Sequence, residues 1–197
     1  MYTFIAERIS DSNINDKMKT GFSNFENCLN MYLDQLDISS ADNGKVTIYG
    51  SVTLENGAIM RATNSFHKRS WFSDISVRMN FKELLEYSSD QGICYGQVII
   101  LLNICILMLT LNNYSSNSIK VLLIMHIDIK EQWIMSNLAL IWWYDFKSQS
   151  DPYLYGYSWL KLTNHYNLID IEAIQDIIHI ILRFDSENEY FVNRFIF

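Results

Sequence analysis

Residues 138–146, LALIWWYDF, leave the chain few ways to fold. As a strand they put Leu138, Leu140, Trp142 and Tyr144 on one face, and Ala139, Ile141, Trp143 and Asp145 on the other. Both faces are apolar as far as Tyr144. Such a strand belongs in the middle of a sheet covered on both sides, or in a sheet closed on itself. The 197-residue chain is 49% hydrophobic and 19% charged, a globular balance with enough length for one well-buried domain or a small domain with an extension.

Helix precedes sheet. Ser23-Asn24-Phe25-Glu26 reads as a capping box. Behind it Phe25, Cys28, Leu29, Tyr32, Leu33 and Leu36 recur at helical spacing, which predicts an amphipathic helix over 24–37. After the breaker cluster 39–44 the period becomes two. Val46, Ile48, Ser51 and Thr53 lead into Asn56-Gly57, whose positive backbone angles suit a tight hairpin, and 58–63 returns. A further strand is expected at 74–79 and a short helix at 81–87.

The second half reads as strands over 93–109, 119–129, 138–146, 159–162 and 168–171, with a closing strand at 190–197. Residues 148–156 form a loop around Pro152. Residues 174–184 fit a helix through Ile174, Ile177, Ile178 and Ile181, and a strand through Ile178, Ile180, Leu182 and Phe184; periodicity leaves both open. The expected class is α+β, mainly β: a small antiparallel SH3- or BAH-like barrel with an N-terminal helix and a β-hairpin. Its divisions are an extension at 1–43, a hairpin and basic sheet region at 44–90 and a barrel region at 91–197, with 44–197 a single folded unit. The run 97–111, apolar apart from Asn103 and two edge residues, is shorter than the roughly 20 residues a membrane helix needs, so a buried strand is the better reading.

The net charge of −7 argues against a general polyanion binder, but its distribution is uneven. Between 44 and 82 six basic residues face Glu55 and Asp74, a net of +4. Between 165 and 190 six acids face Arg183 alone, a net of −5. The two blocks either pair with each other, the simpler expectation, or meet different partners. Cys28, Cys94 and Cys105 lack disulfide or zinc spacing and read as small core residues of a reducing, nuclear or cytoplasmic compartment.

No phosphate loop, H-E-x-x-H or G-x-S-x-G motif is present. His67, His126, His165 and His179 are scattered, and Asp74, Glu83, Glu86 and Asp90 read as a solvated acidic face rather than a metal-binding triad. No catalytic residue, metal or cofactor is therefore expected. Two groups point to binding. Phe66-His67-Lys68-Arg69-Ser70-Trp71-Phe72 mixes cations with aromatics, the blend that contacts phosphates and stacks on bases. With Arg61 and Arg78 it makes Arg61, Lys68, Arg69, Trp71 and Arg78 the nucleic-acid candidates, against a simpler reading in which Trp71 and Phe72 close a basic loop over the sheet. The second group is an aromatic wall of Trp142, Trp143, Tyr144 and Trp159, with Tyr153, Tyr155 and Tyr157 nearby, able to hold a cation or to fill a core.

Five segments in order resemble the C-terminal region of proteins encoded by fungal CACTA-like transposons of the Plavaka type. They are MRATNSFHKRSWFSDISV (60–77), CYGQVIILLNI (94–104), LALIWWYDF (138–146), LIDIEAIQDIIHIILRF (168–184) and YFVNRFIF (190–197), and the resemblance as a whole spans about 37–197. The order is also similar, more loosely, to BAH domains, which implies a small closed barrel and a strand at 176–184. The stretch 107–137 is longer than the transposon group's usual link. The RNase-H-like core that cuts DNA in such proteins is not among these segments, so the resemblance implies a tail module without strand-transfer activity. The expected function is non-catalytic binding or assembly with a protein or chromatin partner. Direct nucleic-acid binding through 61–78 is the alternative, and membrane association through 97–111 a third.

Overall fold

The computed structural model describes residues 2–36, 45–78, 92–111, 129–148 and 153–193; the side chains of 64–65, 107–111 and 129–133 are outside this description. Two strands dominate it. β6 (Ile93–Leu111) and β7 (Ile129–Phe146) run antiparallel from Gly96↔Trp143 to Leu111↔Ile129. Isoleucine, valine and leucine on both faces favour such a pleated ladder, provided both faces are covered.

On one side of β6 lie β1 (Lys45–Tyr49), beside Leu101–Cys105, and β5 (Asp74–Arg78), beside Ile93–Gln97. From β5 the sheet continues through β10 (Ile174–Leu182), β11 (Tyr190–Asn193) and β9 (Tyr157–Asp170) to β7. The β6–β7 pairing closes this path into a six-stranded antiparallel barrel, the α+β architecture that the alternation predicts. β2 (Ser51–Thr53), β3 (Ile59–Phe66) and β4 (Arg69–Phe72) form a separate three-stranded sheet, and β8 (Tyr153–Leu154) pairs with β9.

Each face of the ladder has its own cover. Helix α2 (Asp16–Gln35), joined to α1 (Tyr2–Ser10), lays Met18, Phe22, Phe25, Cys28, Leu29 and Leu33 against Ile100, Leu102, Ile104, Leu138, Leu140 and Leu168. The opposite face meets the small sheet, where Met60 and Ala62 pack with Ile75, Val77, Val98, Leu101, Ala139 and Ile141. A third cluster gathers Tyr95, Tyr144, Phe146, Leu160 and Val192 with Ile178 and Ile180, from five strands, inside the ring. Burying each such large apolar side chain contributes about 1.5–3 kcal/mol.

The observed elements depart from the sequence reading in definable ways. The helix starts at Asp16, not at 24, because Asn15 is its cap: the Asn15 side chain accepts from Met18 N at 2.9 Å. Ser23 lies inside the helix and donates to the Lys19 carbonyl instead of capping. Leu36 follows as the C-cap and is exposed. At the β2–β3 turn only Gly57 has positive φ (83°), with the Asn56 side chain accepting from Ala58 N, so a wider turn replaces the two-residue hairpin. The expected strands at 159–162 and 168–171 are one strand, since β9 runs on through a register shift near Thr163–His165. Residues 174–182 are a strand, fixed by pairing with β5 and β11. The loop at 148–156 contains β8 and a turn at Tyr155-Gly156.

The expected basic–acidic pairing is not seen among the described residues. Among the described residues, the ion pairs are Lys147–Glu189, Arg183–Asp185 and Arg183–Glu189, and none joins the two blocks. Residues 97–111 belong to β6, and no helix among the described residues is long and apolar enough to cross a membrane. The readings at 81–87, 112–128 and 194–197, and those of Glu83, Glu86, Asp90, His126 and Pro152, lie outside the described residues.

The helix–sheet contact turns on Gly21, where an added Cβ would collide with Ile99 Cγ2. Gly21→Ala normally gains up to about 1 kcal/mol of helix propensity, but overpacking here costs about 1–3 kcal/mol. Urea denaturation is expected to show net destabilisation. A higher midpoint for the variant would contradict this close approach.

Candidate functional site

The aromatic run of β7 does not build one wall. Trp142 points toward the helices, stacked on Tyr166 with ring centroids 5.3 Å apart, and its indole N–H donates to the Thr163 carbonyl. Trp143 turns to the opposite face and packs in the hairpin-side cluster, where it crosses Gly96. A Cβ at residue 96 would strike Ile141 Cγ2 and come within 3.3 Å of the Trp143 ring, so glycine makes room for the indole. Tyr144 returns to the barrel interior, edge-on to Tyr190 at 5.1 Å. Trp159 stands apart: its N–H donates to Glu189 Oε2 at 3.1 Å, within the ion-pair group of Lys147 and Arg183. Three consecutive aromatics thus serve three separate packing clusters. The four wall candidates do not converge on an open box.

Behind Tyr144 lies a polar chain that corrects the reading of Asp74 as part of a solvated acidic face: its carboxylate is buried between β6 and β7 partners. Lys17 of α2 donates to Gln97 Oε1 at 2.7 Å, Gln97 donates to Asp74 Oδ1 at 2.9 Å, and the Tyr144 hydroxyl donates to the same oxygen at 3.2 Å. Burial pushes the Asp74 carboxyl up to about 6, against the opposing pull of the Gln97 and Tyr144 hydrogen bonds and the charges of Lys17 and His179. Burial also lowers Lys17 and raises Tyr144. The chain ties the first turns of the helix to the barrel interior. Its members hydrogen-bond to one another, so it reads as a lock rather than a catalytic acid. Among the described residues no group of three His, Cys, Asp or Glu side chains is arranged to hold a metal ion.

The basic–aromatic segment has the opposite character. Phe66 and Arg69 face each other across the β3–β4 turn, and the two residues between them, His67 and Lys68, both have left-handed backbones, with φ of 50° and 65°. This conformation costs an L-residue about 1–2 kcal/mol, and glycine or asparagine would relieve it. His67, Lys68, Arg69 and Ser70 are exposed, and Trp71 is 48% exposed. Phe72 turns inward to the core while Trp71 turns outward. The simpler reading, in which both rings close the loop over the sheet, therefore holds for Phe72 alone.

On the outer face of the small sheet, the Arg61 guanidinium lies 4.3 Å from the Phe66 ring centroid and 5.8 Å from that of Trp71. The Phe66 and Trp71 rings meet edge to face at 5.5 Å. Arg61 braces the aromatic pair, its Nη1 also donating to the Ile59 carbonyl, while Lys68 and Arg69 stand at the tip. Arg78 is exposed at the far end of β5 and does not join the group. The structure thus brings together Arg61, Lys68, Arg69 and Trp71, with Phe66 as an unforeseen member. Only the hairpin register, pairing Thr63 with Trp71, makes that association visible.

No family model, curated protein or solved structure matches the chain.

The Asp74 lock predicts a pH signature. A carboxyl raised from 3.8 to about 6 on folding binds its proton more tightly in the folded state, so this contribution is fully present below about 4 and is lost as pH rises through 6. The full displacement corresponds to at most about 3 kcal/mol. Asp74→Asn is expected to be more stable than the parent at pH 8, with the difference shrinking toward pH 4.5 in urea denaturation. Parallel stability profiles for the two proteins would contradict the lock.

Proposed function

We propose that the chain is a non-catalytic binding module that engages nucleic acid through the β3–β4 hairpin. The observation that carries this reading is the half-exposed Trp71, held beside Arg61 and Phe66, immediately below a strained tip bearing Lys68 and Arg69. Exposed aromatics offer a stacking face and the cations offer phosphate contacts; together they suit single-stranded or distorted nucleic acid better than a duplex groove. The backbone cost at His67 and Lys68 is the kind retained where function requires a particular display. The overall charge of −7 limits contact to this hairpin and disfavours general polyanion binding.

The resemblance to transposon-encoded tail regions supports the same assignment, because the hairpin lies within one of the five resembling segments. In this reading the chain is a transposon-derived module that holds nucleic acid, or the DNA of a chromatin partner, without cutting it. The aromatic strand at 138–146 is its scaffold.

Fluorescence anisotropy with short labelled single-stranded and duplex oligonucleotides tests the proposal between about 50 and about 200 mM salt. Binding is expected to favour the single strand. Lys68→Ala with Arg69→Ala is expected to reduce the slope of log K against log salt by about 1.4, from about 0.7 per phosphate contact. Trp71→Ala is expected to cost about 1–3 kcal/mol with the slope unchanged. No binding at the lowest salt, or a slope indifferent to the double substitution, would overturn it.

A further inference from the structure

A groove of about 760 Å³ separates the β1–β2 edge from the start of β10. One wall is the hairpin, with Ser51, Thr53 and Glu55; the other is the 3₁₀ turn Ile171–Ala173 and Gln175; Leu101 and Ile174 lie in its lining. The wall strand β2 is an edge: among the described residues it pairs only with β3. The backbone parity of that pairing is fixed. Gly50 O accepts from Ala62 N, and Leu54 N donates to Ala58 O, so the even-numbered residues bond to β3. Ser51 and Thr53 therefore direct their N–H and C=O groups away from β3, along the open edge.

The groove's charge is one-sided. Glu55, from the hairpin, and Glu172, from the 3₁₀ turn, both line it and both are exposed, and among the described residues no lysine or arginine lines it. A sheet edge with its hydrogen-bonding groups presented, bordered by carboxylates from two walls, matches an extended segment with cationic side chains.

The geometry points to a second binding site, independent of the basic hairpin: the groove takes an extended, lysine- or arginine-bearing segment of a partner protein, which adds as a strand to β2. Backbone pairing at Ser51 and Thr53 supplies register, and Glu55 and Glu172 select the cation. A segment of this kind lies beside the small sheet and leaves the Arg61–Phe66–Trp71 cluster free.

The full chain is titrated against a fluorescein-labelled peptide of alternating threonine and lysine. Control peptides carry glutamate in place of lysine, or N-methylated backbone at alternate residues. The lysine peptide is expected to bind at least about tenfold more tightly than either control. Glu55→Gln with Glu172→Gln, two exposed substitutions, is expected to weaken it about tenfold, and Thr53→Pro, which removes an edge donor, is expected to weaken it further, while Lys68→Ala with Arg69→Ala leaves it unchanged. Equal affinity for lysine and glutamate peptides, or indifference to the glutamate substitutions, would overturn the proposal. So would concentration-dependent self-association abolished by Thr53→Pro, which would make a second copy of the chain the occupant.

Discussion

The β6–β7 ladder imposes the constraint from which the remaining architecture follows. Its central residues are fully buried: Val98 through Leu102 on β6 and Leu138 through Ile141 on β7 are at most 1% exposed. A two-stranded ribbon with apolar side chains on both faces is unstable in water until each face is covered. Helix α2 covers one face and the β2–β4 sheet the other, while closure through β5, β10, β11 and β9 gathers the ends of the ladder around a third cluster. The N-terminal helix is part of the same core as the barrel strands.

Polar groups enter this apolar construction at few points, and their placement separates locking from display. Lys17, Gln97, Asp74 and Tyr144 join helix to barrel by hydrogen bonds among buried or half-buried atoms, each spending its capacity on the next. The Tyr166 hydroxyl is buried without a hydrogen-bond partner among the described residues, and burial pushes its pKa up to about 12; stacking on Trp142 holds the ring there despite that cost. The outer sheet works the other way. Its inward residues Met60, Ala62 and Phe72 anchor it, freeing Arg61, Trp71, Lys68 and Arg69 to face solvent. Anchoring on one face and exposure on the other follow from the period-two alternation of β3 and β4.

Much of the fold was legible where one periodicity ran unbroken. Residues 138–146 and 74–78 alternate cleanly, and Phe25 to Leu33 keep a helical stripe, so their elements and buried sides could be read directly. Legibility failed where two patterns coincided or a polar break intervened. Ser23 and Glu26 mimic a cap inside a helix that Asn15 had already started. The stripe's earlier members, Met18 and Phe22, are diluted by lysine, threonine and a glycine chosen for its closeness to Ile99. Thr163 to His165 interrupt the apolar run of β9 because the strand shifts register there, with Thr163 Oγ1 donating to the Trp143 carbonyl. The isoleucines of β10 satisfy both periods, and only their partners on β5 and β11 choose between them. The hairpin residues were legible as a local mixture of charge and ring, but Phe66 under Arg61 and the acidic groove were not. Each depends on segments brought together by pairing.

Amide hydrogen exchange under increasing denaturant addresses the mutual dependence of ladder and cover most directly. Amides of Phe22–Leu33, Val98–Leu102 and Leu138–Ile141 are expected to share the slowest rates and to open together with the same denaturant dependence, as one cooperative unit. If the α2 amides open separately, at lower free energy and with a smaller denaturant slope while β6 and β7 stay protected, the helix is an appendage and the ladder is stabilised by something else.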